Sequence, residues 1–105
     1  MKKMIIVIFE FTVKPGKQDI YFEIAKEMQS EVEKVDGFLG VERFQSTVKD
    51  NKFVSVSRWR DEEAVEVWRT QLEHREAQER GKEEIFETYT LRTVNVLREN
   101  VKKGA

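Results

Sequence analysis

The chain has 105 residues, of which 39% are hydrophobic and 37% charged, and 19 basic against 20 acidic side chains leave a formal net charge of −1. That composition describes one polar-surfaced domain with enough apolar mass to fold, and its interspersed signs exclude the one-sided field that nucleic acid or an anionic membrane would need. With no cysteine, disulfides, thiolate nucleophiles, iron–sulfur ligation and Cys-type zinc sites are also excluded.

Met4–Val13, MIIVIFEFTV, is rich in β-branched and aromatic residues and alternates in its second half. It predicts a strand buried on both faces at first and on one face later. The apolar run Met4–Phe9 is too short for a signal sequence, no small-residue cleavage site follows, and nothing approaches the length of a membrane span. The expected location is the reducing cytoplasm. Lys14-Pro15-Gly16 ends the strand as a turn.

From Asp19 to about Lys34 the spacing predicts a helix. Ile20, Ile24, Met28, Val32 and Val35 form its stripe, with Tyr21 and Ala25 beside it. Lys34 falls in the expected last turn and Asp36-Gly37 closes it. Phe38–Ser46 and Lys52–Trp59 read as strands joined by the polar turn Thr47–Asn51, a hairpin. In the second of these, Phe53, Ser55, Ser57 and Trp59 share one face and Val54, Val56 and Arg58 the other.

Asp61 reads as an N-cap, with Glu62 and Glu63 in the first turn of a second helix striped by Ala64, Val65, Trp68 and Leu72. A bend or break is expected near Thr70–Glu73, then a polar segment His74–Arg80 ended by Gly81. Ile85–Leu97 reads as a last strand and Glu99–Ala105 as a frayed tail. The expected organisation is a single domain over 1–105 with its core at about 4–98.

The order β-α-β-β-α-β is the ferredoxin-like α+β plan, a four-stranded antiparallel sheet with both helices on one face. The first strand is apolar on both faces, and Leu39, Val41, Val54 and Val56 add apolar positions. Two helices cover one face only. A second copy packed on the other face, a homodimer, is therefore the expected partner. A domain this small buries roughly two-thirds of its unfolded surface, so any ligand pocket is small or shared.

Across Met4–Arg98 the sequence resembles the antibiotic biosynthesis monooxygenase (ABM) family, of the dimeric α+β barrel superfamily. The residues that carry the resemblance are F-x-V-K-P-G at Phe11–Gly16, DGFLG at Asp36–Gly40 and W-R-D-E-E-A-V-x-x-W at Trp59–Trp68. E-H at Glu73–His74, R-G at Arg80–Gly81 and Y-x-L-R at Tyr89–Arg92 add to it. The resemblance implies a dimer made by facing sheets and a pocket between helices and sheet in each protomer. It also implies oxidation of phenols or quinols by dioxygen without flavin, haem prosthetic group or metal. The fold hosts several activities, so the resemblance says more about family than about chemistry. Haem-degrading enzymes are a related branch. Their helical tryptophan falls on Trp68, but their iron-binding histidine falls on Gln78 and their first-strand asparagine on Phe9. Both latter positions depart from that pattern.

The candidate substrate-binding residues are Trp59, Trp68, Tyr89, Ser55, Ser57, Tyr21 and Phe22, and the candidate catalytic base is His74. Trp68 on an apolar stripe reads as a core residue that can also wall a cavity; its indole N–H needs a partner, which Ser55, Ser57 or a ligand could supply. Ser55 and Ser57 leave room between two aromatic residues, and floor a pocket if their face meets the helices. Otherwise they meet solvent or a partner. Tyr21 and Phe22 are placed at the pocket mouth. His74 is either a hinge residue at the helix break or a general base suited to a phenol proton near neutral pH. Arg92 reads more plainly as a salt-bridge partner of Glu42 or Glu10 than as a charge stabiliser. A single histidine makes a poor metal site, and no Gly-rich phosphate loop, G-x-S-x-G or H-E-x-x-H is present. No metal or cofactor is expected. Beside the oxygenase reading stand a non-catalytic ligand-binding module and a structural homodimer with a closed core.

Overall fold

The structure, a computed structural model, describes residues 4–78 and 85–104, the side chains of residues 73–78 excepted. Its elements are β1 (Ile5–Val13), α1 (Gln18–Val32), β2 (Phe38–Gln45), β3 (Lys52–Trp59), α2 (Glu62–Gln78) and β4 (Phe86–Asn95). The strands pair antiparallel in the order β2-β3-β1-β4. This is the expected ferredoxin-like α+β domain.

Period-2 alternation sorts the sheet into two faces. On one face the register gives four cross-strand rows. Gln45, Phe53, Phe11 and Tyr89 form the first, and Arg43, Ser55, Phe9 and Leu91 the second. Val41, Ser57, Val7 and Thr93 form the third; Phe38, Trp59, Ile5 and Asn95 form the fourth. Both helices lie on this face. Tyr21 and Ala25 of α1 pack with Phe11, Val13, Phe53 and Ile85 over the first row. Val32, Val35 and Ala64 pack with Ile5 and Trp59 over the fourth. The interior is thus two apolar clusters at opposite ends of the strands.

A register shift between Phe38 and Gly40 sets one end of this arrangement. The extra residue, Leu39, is half exposed. The shift turns Phe38 onto the helix face, where its ring meets Trp59 edge-on at 5.2 Å. It also puts Val41 on that face, not on the outer one as expected. Gly40 has φ +154°, a conformation glycine adopts without strain.

Three further expectations change. α1 ends at Val32, so Lys34 stands beyond its last turn. Ile20 is exposed and Tyr21 takes its place at the centre of the buried line, because the Tyr21 ring fits against Phe11 at 4.8 Å and Phe53 at 5.8 Å. α2 runs unbroken through Thr70–Glu73. Thr70 satisfies its hydroxyl inside the helix by donating to the Glu66 carbonyl at 2.9 Å, and Gln71, Leu72 and Glu73 are good helix formers. The expected stop at Gly81 lies outside the described residues.

Asp61 caps α2 as expected. It is 3% exposed, and its Oδ1 accepts the Ala64 N–H at 3.0 Å while Oδ2 meets Arg60 Nε at 3.1 Å. Arg60 also reaches Asp36 at 3.2 Å, and its N–H donates to the Gly37 carbonyl at 2.7 Å. The loop after α1 is thereby tied to the start of α2. Gly37 sits at the tie with φ +96°, and an added Cβ would lie 2.7 Å from Cβ of Ala64. Gly37→Ala combines left-handed strain with this clash, and we expect a loss of about 1–3 kcal/mol, measured by urea unfolding.

Candidate functional site

Between the two clusters the middle rows carry Ser55 and Ser57 on β3, and above them no described side chain fills the space under the helices. A cavity of about 270 Å³ occupies it. Its floor is Val7, Phe9, Ser55 and Ser57, with Val41 and Arg43 on the β2 side and Tyr89, Leu91 and Thr93 on the β4 side. Its roof is Tyr21, Ile24, Ala25 and Met28 of α1 with Val65, Trp68, Arg69 and Leu72 of α2. The lining is mainly apolar with a few polar groups, the usual make-up of a small-molecule site.

The serines therefore meet the helices. Ser57 also supports its neighbour on the strand. Its Oγ accepts the Trp59 indole N–H at 2.9 Å and donates to the Val7 carbonyl at 3.4 Å. This satisfies a tryptophan that is 1% exposed. The partner expected for Trp68 thus serves Trp59 instead. Trp68 is partly buried, packs on the Trp59 cluster and lines the cavity. Tyr89 lines it from β4 and is half exposed, so the cavity opens on that side.

Of the candidate residues, Trp59, Trp68, Tyr89, Ser55, Ser57 and Tyr21 meet around this one cavity. Phe22 does not line it. Its side chain is half exposed and leans edge-on against Phe53 at 5.7 Å on the outside of the first cluster. Helical geometry explains this, since Tyr21 and Phe22 are adjacent and point about 100° apart. His74 falls within α2, with its side chain outside the described residues. Arg92 lies on the opposite face and pairs with Glu10 at 3.1 Å, as preferred from the sequence. Lys52 first, and Arg92 with it, hold the Glu10 carboxyl below its ordinary range.

Sequence reasoning missed Arg43. Its Nη1 donates to Gln29 Oε1 at 3.1 Å, within a mostly apolar wall. Tyr21 lines the same cavity; burial raises its pKa above the ordinary value, and the nearby Arg43 guanidinium partly offsets this. Tyr21 is therefore a neutral donor near pH 7. The signal for Arg43 was hidden by the bulge at Leu39, which sets the face of every later β2 residue. Among the described residues no group of three or more His, Cys, Asp or Glu could hold a metal ion. No helix among them is long and apolar enough to cross a membrane.

The chain is thus a ferredoxin-like α+β domain with an apolar cavity between its two helices and the inner face of its four-stranded antiparallel sheet. Residues 4–80 match the antibiotic biosynthesis monooxygenase family, and the chain belongs to it. It is 39% identical over 93 residues to a jasmonate monooxygenase of Pyricularia oryzae, covering 89% of this chain but 43% of that protein. The chain thus spans less than half the length of that relative. It is 35% identical over 95 residues to the uncharacterised protein YqjZ of Bacillus subtilis, covering 90% of this chain and 81% of that one. Among solved structures it resembles SnoaB, a cofactor-independent oxygenase from Streptomyces nogalater. The TM-score is 0.77 at 17% identity, over 96% of this chain and 99% of the other, a likeness of fold.

If Ser55 floors open space, filling that space should separate binding from folding. We expect Ser55→Leu to unfold at or above the wild-type temperature, since a larger apolar side chain occupies a void. A dye that quenches tryptophan fluorescence in the wild type should lose most of its affinity for the variant, as read by titration.

Proposed function

We propose that the domain is a cofactor-independent monooxygenase that oxidises a small electron-rich substrate of the phenol or quinol type with dioxygen in the cavity. The observation that carries this reading is the cavity itself, apolar and floored by Ser55 and Ser57, in a chain of a family with oxygenase members. In this chemistry the substrate is the reductant. Loss of a proton makes it electron-rich enough to react with dioxygen; one oxygen atom enters the product and the other leaves as water. The protein supplies shape, an apolar medium and a base. Trp59, Trp68, Tyr89 and Tyr21 orient the substrate, and Phe22 is left out of that set by its position.

His74 is the base in this reading. Among the described lining residues none accepts a proton near neutrality: the set holds no carboxylate, arginine side chains stay protonated in proteins, and burial keeps Tyr21 neutral. His74 is the chain's one imidazole, the side-chain type suited to taking a proton near neutral pH. It stands six residues after Trp68 on α2, and its replacement tests the assignment directly. With a phenol or quinol that supports oxygen uptake, His74→Ala should lower the rate on the order of a hundredfold, measured with an oxygen electrode. Full turnover by the variant removes His74 from the mechanism.

The same reading includes a cytoplasmic homodimer. The outer face carries Ile6, Ile8, Val54, Val56, Phe44 and Val94, ringed by Arg58, Glu42, Arg92 and Lys52. An apolar centre with a charged rim suits a permanent interface. Sedimentation should give a dimer for the wild type and a monomer for Val56→Glu, which buries a charge at the centre of that face.

A further inference from the structure

The charge in the cavity wall narrows what the cavity can hold. Two described lining residues are cationic, Arg43 and Arg69, and none is anionic. Arg69 is balanced locally: its Nη2 meets Glu66 Oε2 at 2.9 Å, and both side chains are more than half exposed. Arg43 is different. Its guanidinium is partly buried, its hydrogen bond among the described residues goes to the neutral Gln29 amide, and the Tyr21 hydroxyl near it is neutral too. The nearest acid on that path is Glu33, one hydrogen bond further out, which accepts from the far end of the Gln29 amide. A partly desolvated guanidinium gains most from an anion that it can contact directly.

Position adds to the argument. Arg43 stands across from Ser55 in the second row, so its side chain borders the emptiest part of the floor. A ligand lying over Ser55 and Ser57 places one end at Arg43 and Tyr21. A simple phenol brings a neutral hydroxyl there, because phenols ionise near pH 10. A carboxylic acid brings a full charge at any pH above about 5, in a geometry the guanidinium fork matches.

We propose that the cavity takes a small hydrophobic carboxylic acid, its carboxylate seated against the Arg43 guanidinium with the Tyr21 hydroxyl as second donor, and its apolar body over Ser55 and Ser57 beneath Trp68. This rests on the reading of the cavity as a ligand site and names the substrate class: the oxidisable ring carries a carboxylate remote from the reacting carbon.

The test is a matched pair, naphthoic acid and its methyl ester, titrated calorimetrically into the wild type, Arg43→Gln and Arg43→Lys near neutral pH. The wild type should bind the acid roughly tenfold or more tightly than the ester. Arg43→Gln should bring the acid down to the ester's affinity and leave the ester unchanged, and Arg43→Lys should keep part of the preference. Equal binding of acid and ester by the wild type overturns the carboxylate site while leaving the cavity intact as a ligand site. A preference that survives Arg43→Gln also overturns it. If neither compound binds, both this inference and the ligand-site reading fail. If the acid is preferred through Arg43 but no substrate drives oxygen uptake, the oxygenase reading fails and the carboxylate site stands.

Discussion

The interior depends on two small polar residues placed between two large aromatic ones along a single strand face. Phe53 and Trp59 each anchor an apolar cluster, one at each end of the strands. Ser55 and Ser57 hold those clusters apart. With large apolar residues at both positions the rows of the sheet would merge into one packed core, and the gain would be real, since closing such a void recovers both transfer energy and packing contacts. The domain forgoes that gain. Ser57 lessens the loss by serving as the hydrogen-bond partner of Trp59 and of the Val7 carbonyl, so one side chain keeps the floor low and satisfies the adjacent anchor.

A floor needs a roof held at the right height, and the tie at Gly37 provides it at one end. The Gly37 carbonyl, the Arg60 backbone and the Asp61 carboxylate connect the end of the first α-β crossover to the first turn of α2. Ala64 can then approach Gly37 closely, which sets how near α2 comes to the sheet and therefore where Val65, Trp68 and Leu72 stand. At the other end Tyr21 lies among Phe11, Phe53 and Phe86 and fixes α1. α1 meets the sheet at both ends, through Tyr21 and Ala25 in one cluster and Val32 in the other, and α2 at its start through Ala64, which leaves the space between these contacts open.

Much of this was legible in the sequence. Strand and helix order, the Lys52–Trp59 face pattern and the Asp61 cap follow from local chemistry that tertiary contacts did not override. The face of the serines was not decided by alternation, which sorts residues into two sets without saying which set meets the helices; Trp59 packing with Ala64 decides it. The β2 assignments failed for a related reason. One extra residue at Leu39 exchanges the faces of what precedes and follows it, so Val41 and Arg43 both face the helices. A glycine-flanked Phe-Leu pair was the available sign, and alternation alone does not distinguish it from regular strand. The bend expected near Thr70–Glu73 is absent: Thr70 donates its hydroxyl to the Glu66 carbonyl inside the helix, which continues.

The treatment of charge on the two faces of the sheet is the last link. On the outer face Glu10 is engaged from two sides, by Lys52 and by Arg92, each at 3.1 Å. That cluster is locally balanced and can lie at the rim of an interface. On the inner face Arg43 donates to the neutral Gln29 amide oxygen, with the neutral Tyr21 hydroxyl nearby. Glu10 answers Arg92 diagonally from the adjacent strand, its direct partner on β4 being Thr90; on β3 no such acid faces Arg43, whose partner position there is Ser55. A serine there lets the guanidinium keep its hydrogen-bonding capacity for something that is not part of the chain. The same residue that leaves room in the cavity thus sets no acid opposite Arg43 on β3, and this pairing of space with a cation is the basis for proposing an occupant that is apolar in body and anionic at one end.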